Sequence, residues 1–373
     1  MSKRILLATR PLVPPWDEAS KNFAYFLGKE VRNHELTLLT THEVLLGLPE
    51  SVHQVPIFQK NHLDFSAKLR LFSYLRKNRH TFDITHYLFT PTKQNTRLIK
   101  WLAQPSGKTL QTVATLREDL YTPEELKSLL FADRIIVYTD LTKTKLERLG
   151  FHNVTRVYPG IDLDLYQPQA KDPAVMATYG LSADDFFVIY PGEYTRLGAT
   201  DMLTQTFLQY FQANPDSNMK FLFACRIKNE ADQAKREEIR TAVKQAKLET
   251  KILFDEQSAT VNMAALYNTA DVVIFPVENL KGKFDVPLII IEAYACGKPV
   301  ILSDLPQFLE FTNTDICVTI PKDSGEKLIE SLAYLKQNRE EMARLGENAR
   351  RYVKDHFDLK NTAKQYEEIY ATL

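Results

Sequence analysis

Glycine and proline are sparse in this chain, 12 and 18 of 373 residues, which excludes a fibrous or low-complexity protein. No apolar run reaches the length of a membrane-spanning helix, and the N-terminal run Ile5-Leu6-Leu7-Ala8 is shorter than a signal peptide's hydrophobic region. The expectation is a cytoplasmic protein. Net charge is absent too, since 47 Lys and Arg balance 47 Asp and Glu, so no overall field draws the protein to nucleic acid. The three cysteines, Cys225, Cys296 and Cys317, form no CxxC or Cys/His spacing. Their odd number fits no disulfide framework, and they read as buried thiols. Neither a DxD-type pair in a suitable loop nor a metal-ligand cluster is evident, so no metal and no cofactor is expected.

What is present is the composition of a soluble globular protein, 44% hydrophobic and 25% charged, in a chain long enough for two domains. The charge balance conceals an asymmetry. Residues 1–168 carry 23 basic and 17 acidic side chains, a net +6, and the remainder 24 and 30, a net −6. Two domains with different partners follow, the basic one facing something anionic.

Short β-branched runs alternate with amphipathic stretches of helical length, the pattern of βα units around a parallel sheet. In the first half the spacing predicts strands at Arg4–Ala8, Glu35–Thr40, Ile84–Leu88, Lys108–Ala114, Arg134–Tyr138 and Asn153–Val157. In the second half it predicts Phe186–Tyr190, Lys220–Ala224, Thr250–Phe254, Val272–Phe275, Pro299–Leu302 and Asp315–Thr319. Prolines, a glycine and two Asp punctuate Tyr158–Pro168, where a hinge belongs. The division is an N-terminal domain over 1–168, a C-terminal domain over 169–355, and a terminal helix over 356–373 packing back toward the first domain. Two doubly wound parallel-sheet α/β domains facing a central cleft would bind their ligand there.

The most informative segment is Lys281–Val300. Asp285 reads as an N-cap, Pro287 suits a first helical turn, and Cys296-Gly297 with Pro299 reads as a stop, predicting a helix over Val286–Ala295. Its amino end, with Lys281 or Lys283 in the preceding loop, is an anion site suited to a diphosphate. Glu292 stands alone in this apolar helix, seven residues after Asp285 and therefore near the same face. A carboxylate accepts two hydrogen bonds from vicinal hydroxyls, which makes Glu292 a ribose or sugar clamp.

At these residues the chain resembles the GT-B glycosyltransferases, the large group 1 or family 4 of retaining enzymes. The resemblance rests on Phe284–Pro299 with its Glu-Ala-Tyr-Ala-Cys-Gly-Lys-Pro, on Tyr158-Pro159-Gly160-Ile161-Asp162, and on Ala265–Val272, and it covers nearly the whole chain. It implies that Glu292 holds the ribose of a nucleotide-sugar donor, a UDP- or GDP-sugar. It also implies that the backbone at Phe284, Val286 and Pro287 holds the phosphate and sugar. The family's sugar-contacting Glu is replaced here by Phe284, with Asp285 next to it as the substitute. The family's phosphate-binding Arg and Lys fall on Glu193 and Leu197 of Pro191–Gly198. Arg196 and Arg226 are then the candidates for the diphosphate, with Gly192 and Lys283 beside it and Lys228 weaker.

In the first domain the segment Arg10–Asn22 lacks the family's usual glycines, leaving Ser20, Lys21 and Asn22 at a helix start as candidates on the acceptor side. The family's His falls on no histidine in Gln111–Arg117, where Ala114 stands, so His86 at the end of a strand is the candidate near the donor sugar. Residues 60–80 hold six Lys/Arg and one Asp in a basic amphipathic helix suited to an anionic membrane surface, which implies peripheral contact at the inner face of the cell membrane. No motif or aromatic platform argues for nucleic acid.

The resemblance implies a metal-independent retaining hexosyltransferase, with a glycan or lipid-linked acceptor and Asp285, Arg196 and His86 at the reacting centre. The replacements Phe284, Glu193 and Ala114 keep a non-catalytic binding or scaffold relative in view, and the shared architecture keeps a nucleotide-sugar epimerase.

Overall fold

The computed structural model describes residues 2–14, 19–89, 91–255, 262–280 and 282–373. They form two compact units: Met1–Asp162 with Gly282–Val286 and His356–Leu373, and Leu163–Lys281 with Pro287–Asp355.

The first unit runs β1 (Arg4–Leu12), α1 (Ala19–Glu30), β2 (Glu35–Thr40), β3 (Val52–Pro56), α2 (Phe65–Lys77), β4 (Ile84–Tyr87), α3 (Lys93–Leu102), β5 (Lys108–Val113), α4 (Pro123–Leu129), β6 (Arg134–Val137), α5 (Asp140–Arg148) and β7 (Val154–Arg156). All seven strands are parallel, in the order β3-β2-β1-β4-β5-β6-β7. Alternation along each strand sorts side chains to the two faces. On β1, Ile5 and Leu7 join a core with Phe23 of α1, while Leu6 and Ala8 join Leu71 and Leu75 of α2 and Ile99 of α3. Asp64, Thr92, Thr122 and Thr139 each cap a helix by accepting from the amide three residues on.

The second unit runs α6 (Pro173–Thr178), β8 (Phe186–Tyr190), α7 (Thr200–Ala213), β9 (Met219–Phe223), α8 (Glu230–Gln245), β10 (Ile252–Phe254), α9 (Met263–Thr269), β11 (Val272–Phe275), α10 (Leu288–Ala295), β12 (Val300–Ser303), β13 (Val318–Ile320), α11 (Gly325–Gln337) and α12 (Arg339–His356). Its six parallel strands are ordered β10-β9-β8-β11-β12-β13. The last helix, α13 (Leu359–Thr372), belongs to the first unit, where Tyr366 and Tyr370 fill the core beside α1. Its Glu367 carboxylate accepts from the amides of Arg32 and Asn33, closing the turn after α1.

Strand order reverses between β1 and β4 in the first sheet and between β8 and β11 in the second. Such switch points are where open parallel sheets leave room for ligands at their carboxyl edge. The segment over 282–286 groups with the first unit although the chain on either side of it belongs to the second.

One close approach holds α10 in place. Gly297 ends that helix at φ +69°, and a Cβ on Gly346 of α12 would lie 2.1 Å from the Gly297 carbonyl oxygen. Backbone cannot yield as a flexible side chain does. Gly346→Ala is expected to lower stability by about 2 kcal/mol and the melting temperature by roughly 5 °C, read by thermal denaturation.

Candidate active site

At the carboxyl edge of the second sheet the chain collects charge on both sides of the switch point. Glu292 lies in the second turn of α10, a helix otherwise apolar because most of it is buried. The Tyr267 hydroxyl from α9 donates to its Oε2 at 3.2 Å, and Tyr166 supplies a second hydroxyl. Burial lifts the Glu292 carboxyl to about 7, against the pull of both tyrosines and the Arg226 guanidinium. Arg226 itself is exposed in the turn after β9. A carboxylate so placed accepts hydrogen bonds from paired hydroxyls, with a cation near enough to hold an anion.

The turn after β8 carries the second cluster. Gly192 has no room for a side chain, since a Cβ there would lie 2.0 Å from the Tyr190 ring. Glu193, 5% exposed, receives Arg196 in a bidentate pair at 2.7 and 2.8 Å and Lys228 at 2.6 Å. The two cations are therefore partnered by Glu193. Leu197 is fully buried and belongs to the core.

Several expectations for the 281–286 region need correction. Lys281 lies outside the described residues. The helix begins at Leu288, two residues later than the spacing predicts, with Pro287 at the N-cap position and no side-chain cap. Asp285 caps nothing because its carboxylate is held elsewhere: the Thr142 hydroxyl donates to it at 2.7 Å and the Leu116 amide at 3.3 Å, while its own amide donates to the Ala114 carbonyl. Burial still lifts its carboxyl to about 6. Because Asp285 precedes the helix, the shared-face argument linking it to Glu292 fails. Lys283, Phe284, Asp285 and Val286 all group with the first unit, Val286 is fully buried, and Phe284 packs on Tyr138.

His86 also differs from expectation. It follows Ile84 by two residues on β4, so it points to the same face, beneath α13. There its Nδ1 bonds the Tyr370 hydroxyl at 2.8 Å and its Nε2 the Thr112 hydroxyl at 2.7 Å, with no exposure at all. Burial pushes its pKa down to about 3, so the ring is a neutral core group that ties α13 to β5. Of the helix-start candidates, Ser20 lines a cavity at the carboxyl edge of the first sheet, Lys21 is 5% exposed, and Asn22 is half-buried. Part of their turn, residues 15–18, lies outside the described residues. The three cysteines are free and buried.

Sequence reasoning missed Tyr166 and Tyr267 as partners of Glu292, and Thr142 as partner of Asp285. Tyr267 lies in the stretch Ala265–Val272 that carried the resemblance, and a lone Glu in an apolar helix asks for such a donor. Thr142 left no signal, being distant in sequence.

Glu292 and the turns at this switch point lie within a segment that matches a family model. Residues 177–352 match the family model of glycosyl transferases group 1. The match spans the elements that carry Glu193, Arg196, Arg226 and Glu292. A D-inositol 3-phosphate glycosyltransferase of Mycolicibacterium smegmatis is 27% identical over 175 residues, 46% of this chain and 37% of that protein. The chain thus matches less than half the length of this curated relative. Among solved structures, Anabaena HepE in complex with UDP and glucose superposes with a TM-score of 0.73 at 15% identity, over 100% of both chains. Sucrose-phosphate synthase of Thermosynechococcus elongatus reaches 0.75 at 18% identity, over 99% of this chain and 98% of that one. The fold is therefore GT-B, built from two parallel-sheet, Rossmann-like domains. Among the described residues, no helix is long and apolar enough to cross a membrane.

Proposed function

We propose that the protein is a group 1 glycosyltransferase that moves a hexose from a nucleotide-sugar donor, a UDP- or GDP-sugar, to a glycan or lipid-linked acceptor. The observation that carries this reading is the Glu292 carboxylate, raised by burial and braced by Tyr267 and Tyr166 with Arg226 near it, at the edge where a doubly wound sheet takes its ligand. Glu292 accepts the ribose hydroxyls. Arg226, Arg196 and the uncapped start of α10 hold the diphosphate. Stabilising the leaving diphosphate with these cations and amides supplies most of the rate, without a metal, and the sugar keeps its anomeric configuration. Asp285 positions the 282–286 segment through Thr142 and Leu116.

The bound UDP and glucose of the HepE structure and the group 1 match support a nucleotide-sugar donor. The test is nucleotide release from UDP- and GDP-sugars with and without acceptor mixtures, with the anomeric coupling of any product read by NMR. An inverted product overturns the retaining assignment.

One observation favours a non-catalytic relative. Glu193 neutralises both Arg196 and Lys228, two cations that a diphosphate would use. Nucleotide binding without release under any acceptor supports that reading.

We further propose a cytoplasmic protein that makes peripheral contact with anionic lipid through residues 60–80. On α2, Phe65 is 76% and Leu69 55% exposed among Lys68, Arg70, Arg76 and Lys77, and Trp101 of α3 is 82% exposed. Exposed apolar groups among basic ones are what an interfacial helix presents. Cosedimentation with vesicles rich in phosphatidylglycerol, but not with pure phosphatidylcholine, is expected, and Phe65→Ser with Leu69→Ser should reduce it several-fold. Equal binding to both vesicle types contradicts the electrostatic part.

A further inference from the structure

The first unit contains a cavity of about 370 Å³ at its own switch point, between the ends of β1 and β4. This exceeds twice the ~150 Å³ in which an apolar cavity accepts benzene, and it falls within the range of ligand pockets. Its walls are of two kinds. Leu71, Phe72 and Leu75 of α2, Ile99 of α3, and Leu88 and Phe89 after β4 make an apolar wall. Thr9 and Arg10 of β1, Ser20 of α1 and Thr112 of β5 make a polar one, and Lys68 of α2 adds a second cation.

Tyr138, at the end of β6, lines the same cavity and is fully buried. Its ring packs on Phe284, and its hydroxyl has no hydrogen-bond partner among the described residues. A buried hydroxyl left unpartnered is costly, so such a group beside a cavity points to a ligand that satisfies it. An apolar wall alone would suit any greasy molecule. Two cations and an orphaned donor add the requirement of an anionic, hydrogen-bond-accepting end.

We infer that this cavity seats the apolar body of an anionic amphiphile, an alkyl or isoprenoid monophosphate, with its phosphate among Arg10, Lys68 and the Tyr138 hydroxyl. The inference deepens the reading above by naming the acceptor class, and it rests on that reading for the word acceptor. The binding itself does not depend on it.

The probe is farnesyl monophosphate, titrated below its micellar concentration into the full chain without nucleotide, with farnesol and inorganic phosphate alongside. Farnesyl monophosphate is expected to bind at least tenfold more tightly than either. Tyr138→Phe removes only the orphaned hydroxyl, so the variant should melt no lower than the parent while binding the probe about tenfold more weakly. Leu63→Trp, at the half-buried rim, should block the cavity and weaken the probe by more than tenfold. Binding no tighter than inorganic phosphate, or affinity unchanged in both variants, overturns the inference. So does a Tyr138→Phe variant that melts lower at unchanged affinity, since the hydroxyl would then serve the fold. Probe binding in a chain that binds no nucleotide sugar sinks the transferase reading and leaves the cavity assignment standing; the converse sinks the cavity assignment alone.

Discussion

Glu292→Ala is expected to weaken nucleotide-sugar binding by about 100-fold. On the proposed assignment the variant would lose two hydrogen bonds from paired ribose hydroxyls to a carboxylate, each worth about 1.5 kcal/mol in a site shielded from water. It also leaves the Tyr267 hydroxyl without its acceptor. Stability should fall little at neutral pH, because burial already disfavours the charged carboxyl. Calorimetric titration with a melting curve on the same sample separates the two effects. Unchanged affinity in a folded variant removes Glu292 from the donor site.

The second large effect is a pH dependence. The Glu292 carboxyl sits at about 7 in the folded chain against an ordinary 4.5. The native state therefore binds its proton more tightly than the unfolded chain does. This contribution to stability is fully present below about 4.5 and is lost as pH rises through 7, a change of about 3 kcal/mol at most. Asp285 runs the same way between 3.8 and about 6. His86 runs opposite: its pKa is depressed to about 3, so its contribution is present above 6.5 and fades as pH falls below that. A melting curve of the parent alone therefore mixes opposing slopes, and the difference between parent and Glu292→Gln isolates one of them. Binding follows the carboxylate fraction, so donor affinity should rise roughly tenfold from pH 6 to 8. The rise should vanish in Glu292→Gln; a rise that persists in that variant assigns the titration to another group.

The architecture was legible because a buried parallel strand is a short apolar run whatever it packs against. Phe186–Tyr190 and Val272–Phe275 read directly as strands and are strands to the residue. β3 escaped because Val52-His53-Gln54-Val55-Pro56 is an edge strand in which Val52 alone is buried, with two polar residues and a closing proline. Glu292 stood out in the sequence for the opposite reason: a carboxylate inside Leu288–Ala295 asks for a partner, which the structure supplies in the Tyr267 hydroxyl.

The misreadings share a cause. Asp285 carries a strong local signal for an N-cap, but Thr142 and Leu116 compete for its carboxylate, and neither is near it in sequence. His86 sits at a strand end in sequence, yet the parity of β4 turns it under a helix that begins at Leu359. Tyr138 showed nothing at all, since an orphaned hydroxyl exists only once its surroundings are packed. Local pattern reports burial and periodicity; it does not report which distant group claims a polar side chain.

The central claim is a nucleotide-sugar site at Glu292 in the second unit, and the most direct measurement is calorimetric titration of the full chain with UDP, GDP, ADP, CMP and their common sugars. One nucleotide series should saturate at one site per chain and raise the melting temperature, with about 2.7 kcal/mol of stabilisation at 100 times the dissociation constant. No binding by any of them at millimolar concentration would contradict the account.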